Sequence, residues 1–71
     1  MIILTINGES RTVNDETTIT ALLETLEIDR RQVAVAINGE VVPRTEHERT
    51  VLRDADAIEI VRMVGGGSLE A

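Results

Sequence analysis

Two Asn-Gly dipeptides, Asn7-Gly8 and Asn38-Gly39, constrain this chain more than any other feature. Asn-Gly is the pair that most readily adopts the two positive φ angles of a type I′ turn, whose twist matches the strands of a hairpin. Strand-like residues flank both pairs. Before the first, Ile2, Leu4 and Ile6 alternate with Ile3 and Thr5, and Glu9 to Val13 can return as an antiparallel partner. Before the second, Val33-Ala34-Val35-Ala36-Ile37 is apolar without a break, which predicts a strand buried on both faces and central in its sheet. Glu40-Val41-Val42 can return until Pro43, which has no N–H for the ladder.

Between the hairpins, Ile19, Leu22, Leu23 and Leu26 recur at i, i+3, i+4 and i+7, the stripe of an amphipathic helix. Thr17 or Thr18 is placed to cap it. At about two to three turns the helix needs a sheet to hold it. Arg44 to Thr50 reads as a polar crossing with one helical turn, Val51-Leu52 as a short apolar contact and Arg53-Asp54-Ala55-Asp56 as a turn. Ala57 to Val64 is the last strand, with Ile58 and Ile60 on one face and Glu59, Val61 and Met63 on the other. The order predicts an α+β roll: a mixed sheet of four to five strands with one main helix on one face. Its second face would then leave Ile3, Ala34, Ala36, Val61 and Met63 uncovered beside the tail, a candidate docking surface. A domain over 1–64 and a flexible glycine-rich tail over 65–71 complete the division.

Composition narrows the chemistry. The 71 residues form one small domain. With no cysteine there is no disulfide, thiolate metal site or thiol nucleophile; with no lysine, no Schiff base; with one histidine, His47, no His-rich metal site. No aromatic residue is present to stack on bases. Thirteen acids against seven arginines argue against nucleic acid and anionic membranes and favour a basic protein partner. Met1-Ile2-Ile3 leads straight into a strand pattern rather than a signal peptide, so the expected location is cytoplasmic. Asp54 with Asp56 reads as a solvated turn rather than a metal site, and Glu46-His47-Glu48, with no nucleophile, no pocket volume and no second histidine, does not read as acid–base machinery.

Gly65-Gly66-Gly67 follows the last strand directly. Glycines there can serve as a linker, or as a thin strand that another protein's backbone approaches closely. From Val64 to Gly67 such a strand reaches roughly 13 Å, which suits delivery of a carboxylate into a partner's site.

Three stretches together carry a resemblance: Ala36-Ile37-Asn38-Gly39-Glu40-Val41-Val42-Pro43-Arg44, then Leu52-Arg53-Asp54-Ala55-Asp56 with Ile58-Glu59-Ile60-Val61, then Val64-Gly65-Gly66-Gly67. Over residues 1–67 the chain resembles the ThiS family of thiamine-biosynthesis sulfur carriers, ubiquitin-like β-grasp proteins. The resemblance implies a non-enzyme whose terminal glycine carboxylate is adenylated and then converted to a thiocarboxylate. Gly67 would be the modified residue, Gly66 its neighbour, and Gly65 would give access. Arg44, Val61 and Met63 would dock partners. The implied partners are a ThiF-like adenylyltransferase, a ThiG-like thiazole synthase and a cysteine desulfurase or other sulfur donor. No cofactor is bound, ATP being used by the activating partner, and the free carrier is a monomer. Alternatives on the same fold are the small subunit of molybdopterin synthase, a ubiquitin-like modifier and an interaction module without tail chemistry.

The chain departs from the family at three places. Ser68-Leu69-Glu70-Ala71 follows Gly67, so as written Gly67 has no free carboxylate. Two origins fit: a cloning remnant, which Leu69-Glu70 resembles, or a natural extension removed by a protease. His47 stands where many relatives have tryptophan, which would cost a docking surface its aromatic anchor. Ala55 stands where relatives have glycine, a strain of roughly 1 kcal/mol if that position needs positive φ.

Overall fold

The computed structural model describes residues 1–64 and 68–70. Strand β1 (Ile2–Ile6) pairs antiparallel with β2 (Glu9–Val13), Ile6 opposite Glu9. Asn7 and Gly8 close the hairpin at φ +49° and +85°, both positive as a type I′ turn requires. The second Asn-Gly pair repeats this almost to the degree. Asn38 and Gly39, at φ +51° and +85°, join β3 (Val33–Ile37) to β4 (Glu40–Val42).

Helix α1 spans Ile19–Thr25, two turns rather than three. Thr18 is its N-cap, the side-chain oxygen accepting from Ala21 N at 3.1 Å. Its end is a Schellman motif without glycine: Glu27 N donates to Glu24 O at 3.1 Å and Ile28 N to Leu23 O at 2.9 Å, with Glu27 left-handed at φ +58°. Leu26 therefore caps the helix rather than extending it. Two N–H groups at the helix start, which have no acceptor within the helix, find partners in the polar crossing, where Ile19 N donates to Thr50 O and Thr20 N to His47 O.

Strand β5 (Ala57–Val64) organises the sheet. It pairs parallel with β1 and antiparallel with β3, giving the order β2-β1-β5-β3-β4. The centre is thus β5, not β3. Only one face of β3 is fully buried, through Val33 and Val35, while Ala34 and Ala36 are half-buried. A further strand, β6 (Ser68–Glu70), pairs antiparallel with the end of β5. The four-to-five-strand expectation omits it, because three residues beyond a glycine run show no alternation to read.

Leu4, Ile6, Ile19, Leu22, Leu23, Val33, Val35, Leu52 and Ile58 form the core, between α1 and one face of the sheet. Each buried side chain of this size contributes about 1.5–3 kcal/mol. In the Val51-Leu52 pair only Leu52 is buried.

His47 is 1 % exposed. Its Nε2 lies 3.1 Å from Val42 O; a carbonyl can only accept, so Nε2 is the donor and Nδ1 carries no proton in that tautomer. Position 47 thus belongs to the interior, not to a surface and not to a docking site. The 3-10 turn Arg44–Glu46 folds the chain back after Pro43 and puts the ring there.

Candidate functional site

The site follows from where β5 points. Its antiparallel pairing with β3 sets Arg62 opposite Val33, so the last residues of β5 lie beside the start of β3. The 3-10 turn Arg30–Gln32 leads into β3 there. β4 runs antiparallel to β3, which brings Pro43 and Arg44 to the same end. Arg44 Nη2 donates to the backbone oxygen of Arg31 at 3.2 Å. Arg44 is exposed, half-buried Val61 pairs opposite Ala34, and Met63 lies opposite Leu69. The side chain of Met63 and the residues Gly65, Gly66 and Gly67 lie outside the described residues. Of the expected tail, Ser68–Glu70 return as β6 with Val64 opposite Ser68 and Arg62 opposite Glu70.

Two turns brace β5 on its way to this end. Asn7 Oδ1 accepts from Ile60 N at 2.8 Å and its Nδ2 donates to Ile60 O at 3.3 Å. β1 pairs with β5 only at Ala57 and Ile58, so the Asn7 carboxamide continues the ladder where β1 has stopped. Asn38 Oδ1 accepts from Ala57 N at 3.0 Å, and its Nδ2 donates to Asp56 Oδ1 at 3.1 Å. The asparagines were legible as turn formers. Their grip on β5 was not, although asparagine, unlike aspartate, offers a donor and an acceptor together.

The sheet face away from α1 is open. Val41 is 66 % exposed and Ile3 54 %. Ala34 and Ala36, with their register partners Val61 and Val41, form an apolar strip across three strands, with Glu59 beside it.

The charged candidates have local roles. Asp54 Oδ1 accepts from Ile3 N at 2.8 Å and Asp56 Oδ2 from Arg53 N at 2.9 Å, fixing the turn that launches β5. Ala55 in that turn is left-handed at φ +71°. Asp29 accepts from the Arg31 guanidinium at 3.1 and 3.2 Å and from Arg31 N at 2.9 Å. Those bonds hold its carboxyl below the usual carboxylate range and raise the Arg31 guanidinium. Glu48 pairs with Arg30 at 3.4 Å.

A mixed sheet with parallel β1 and β5, two flanking hairpins and one helix on one face defines a ubiquitin-like β-grasp domain. Comparison with known proteins refines that class. The crystal structure of the thiamine biosynthesis protein ThiS from Geobacter metallireducens superposes with a TM-score of 0.82 at 36 % identity, covering 93 % of this chain and all of that one. The sulfur carrier protein ThiS of Bacillus subtilis is 35 % identical over 65 residues, 90 % of this chain and 98 % of its own. A thiazole synthase of Paramagnetospirillum magneticum is 44 % identical over 68 residues, 96 % of this chain and 21 % of its own. The chain thus spans about a fifth of that relative's length. The ThiS family model matches residues 4–67. This chain belongs to the ThiS family.

Proposed function

We propose that this chain is a protein sulfur carrier of thiamine biosynthesis, a substrate of other enzymes rather than an enzyme. The observation that carries the reading is the extent of the family match, which begins in β1 and runs through Gly67. The named carrier from Bacillus subtilis and the ThiS structure from Geobacter metallireducens support it.

Gly67 is the working residue. A carboxylate is a poor acyl donor because its oxygen is a poor leaving group. A ThiF-like adenylyltransferase would transfer AMP from ATP to the Gly67 carboxylate, releasing pyrophosphate. A cysteine desulfurase or comparable donor would supply sulfur as a persulfide, whose outer sulfur displaces AMP at the carbonyl carbon to give an acyl disulfide. A thiol of a partner would then attack that S–S bond, forming a new disulfide and leaving the Gly67 thiocarboxylate. With no cysteine of its own, the chain has no thiol to hold the sulfur as a persulfide. Gly66 and Gly65 would let the tail pass through a narrow channel, since no side chain blocks the backbone. The ladder around β5 would hold Val64 as the point from which the tail departs. Val61 and Met63 would dock partners from the open face of the sheet, and Arg44 from its end.

A ThiG-like thiazole synthase would take the sulfur. A relative that bears the name thiazole synthase contains a stretch similar to almost all of this chain, which supports that partner. Among the described residues no helix is long and apolar enough to cross a membrane; cytoplasmic action is part of the proposal.

The chemistry needs Gly67 to be the last residue, so Ser68–Ala71 must be absent from the active form. Intact-mass spectrometry tests this on a version ending at Gly67, incubated with ThiF-like enzyme, ATP and a sulfur donor. A gain of roughly 16 Da, one oxygen exchanged for sulfur at an activated acyl group, is the expected result. An unchanged mass with an enzyme competent on its own carrier refutes the proposal.

A further inference from the structure

The chain is acidic overall, yet its charge is not spread evenly. At the end of the sheet where β5 begins lie Asp54 and Asp56, with Glu40 at the start of β4 and one arginine, Arg53. Where β5 ends, the sign reverses. Register and hydrogen bonding gather Arg31, Arg44 and Arg62 there, all exposed, against Asp29, which pairs with Arg31, and Glu70 of β6, which a chain ending at Gly67 lacks. Arg30 sits there too, but Glu48 balances it. Among the described side chains Arg44 has no carboxylate within salt-bridge distance.

We propose that Arg31, Arg44 and Arg62 form a basic collar that seats acidic side chains of a partner protein around the mouth of the channel receiving the glycine tail. This rests on the carrier reading above. Distance argues for a protein rim rather than a nucleotide. Drawn out at about 3.3 Å per residue, Gly67 lies roughly 17 Å beyond Arg62, too far for a guanidinium on the body to reach the reacting carboxyl or an AMP bonded to it. The sequence itself shows the kind of segment that suits this end. Glu70, an acid on an extended strand, is the register partner of Arg62. Opposite charges so placed across strands favour pairing. An acidic rim would meet the basic end and repel the acidic one, so the carrier would approach tail first.

The test measures association rates of the chain, at full length and ending at Gly67, with purified thiazole synthase and ThiF-like enzyme of the same organism. Among the described residues the buried core runs from Leu4 to Ile58, and the family match ends at Gly67, so the shorter form keeps the fold. Rates are taken at about 50 mM and about 300 mM salt, where the Debye length falls from about 14 Å to below 6 Å. The wild-type rate is expected to drop with salt. Arg44→Glu/Arg62→Glu is expected to lower it about tenfold at low salt and to flatten the salt dependence. Arg11→Glu/Arg53→Glu, the same change in charge away from the collar, is expected to stay near wild type. Circular dichroism checks that both variants are folded. A wild-type rate for Arg44→Glu/Arg62→Glu, or an equal loss in the control pair, overturns the collar. Failure of the wild-type chain to bind either enzyme at low salt overturns the carrier reading itself.

Discussion

Replacing Ala55 with glycine should stabilise the fold. Ala55 sits at φ +71°, where its Cβ crowds the backbone. That conformation costs a non-glycine residue about 1–2 kcal/mol. Glycine removes the strain but widens the unfolded ensemble, which returns about 0.4–1 kcal/mol. The net gain spans about 0–1.6 kcal/mol and centres on about 0.8 kcal/mol, or roughly 3–6 °C in Tm for a domain of this size. Little else offsets it. Ala55 is exposed, so its methyl group gives up no burial. The bonds that fix the turn are made by the backbone or by its neighbours: Ala55 N to Ile3 O, Asp56 N to Arg53 O, Ile3 N to Asp54 Oδ1 and Arg53 N to Asp56 Oδ2. Thermal unfolding of Ala55→Gly beside wild type, followed by circular dichroism, reads the effect. Ala55→Val serves as the opposite control, because a β-branched residue tolerates this φ still less. A Tm for Ala55→Gly equal to or below wild type would show that the turn carries no such strain.

Other perturbations have equally definite outcomes. Asn38→Ala removes both carboxamide bonds to the start of β5 and should lower stability by about 1–2 kcal/mol in urea titration. Leu22→Ala opens a cavity between helix and sheet and should cost about 2–5 kcal/mol, enough to unfold a large fraction of a small domain at 37 °C. Asp29→Asn tests the pH dependence. The Asp29 carboxyl is lowered in the fold, so its contribution is present above its unfolded pKa and is lost as pH falls through the folded value. The variant should therefore lose less stability than wild type on acidification below about pH 4, the ordinary range of an aspartate.

The hairpins were readable because Asn-Gly states its own backbone angles. The helix face was readable because Ile19, Leu22 and Leu23 share one stripe, and all three are buried. Its length was not. The stop at Glu27 depends on a left-handed glutamate, and only glycine or asparagine announces that conformation in a sequence. His47 misled for a related reason. The resemblance made position 47 a docking anchor lost, and only the fold of the 3-10 turn shows the ring inside. The tail was an expectation drawn from its glycines and its place after β5. The arginines around it were not read as a group, because Arg31, Arg44 and Arg62 lie far apart in sequence and meet only through the pairing of β3, β4 and β5.

The two braced turns also bear on how the molecule ages. Asn-Gly is the dipeptide most prone to spontaneous deamidation, in which the glycine nitrogen attacks the asparagine's own side-chain carbonyl and ammonia leaves. Here both carboxamides are held against β5, Asn7 by Ile60 and Asn38 by Ala57 and Asp56. The attack requires those bonds to break first. Once it has occurred at Asn38, a new carboxylate faces that of Asp56, and the donor between them is gone. Damage therefore accrues while the turns are open and hinders their closing again. The fraction of deamidated protein in an old sample is a record of how often β5 has been released by its turns.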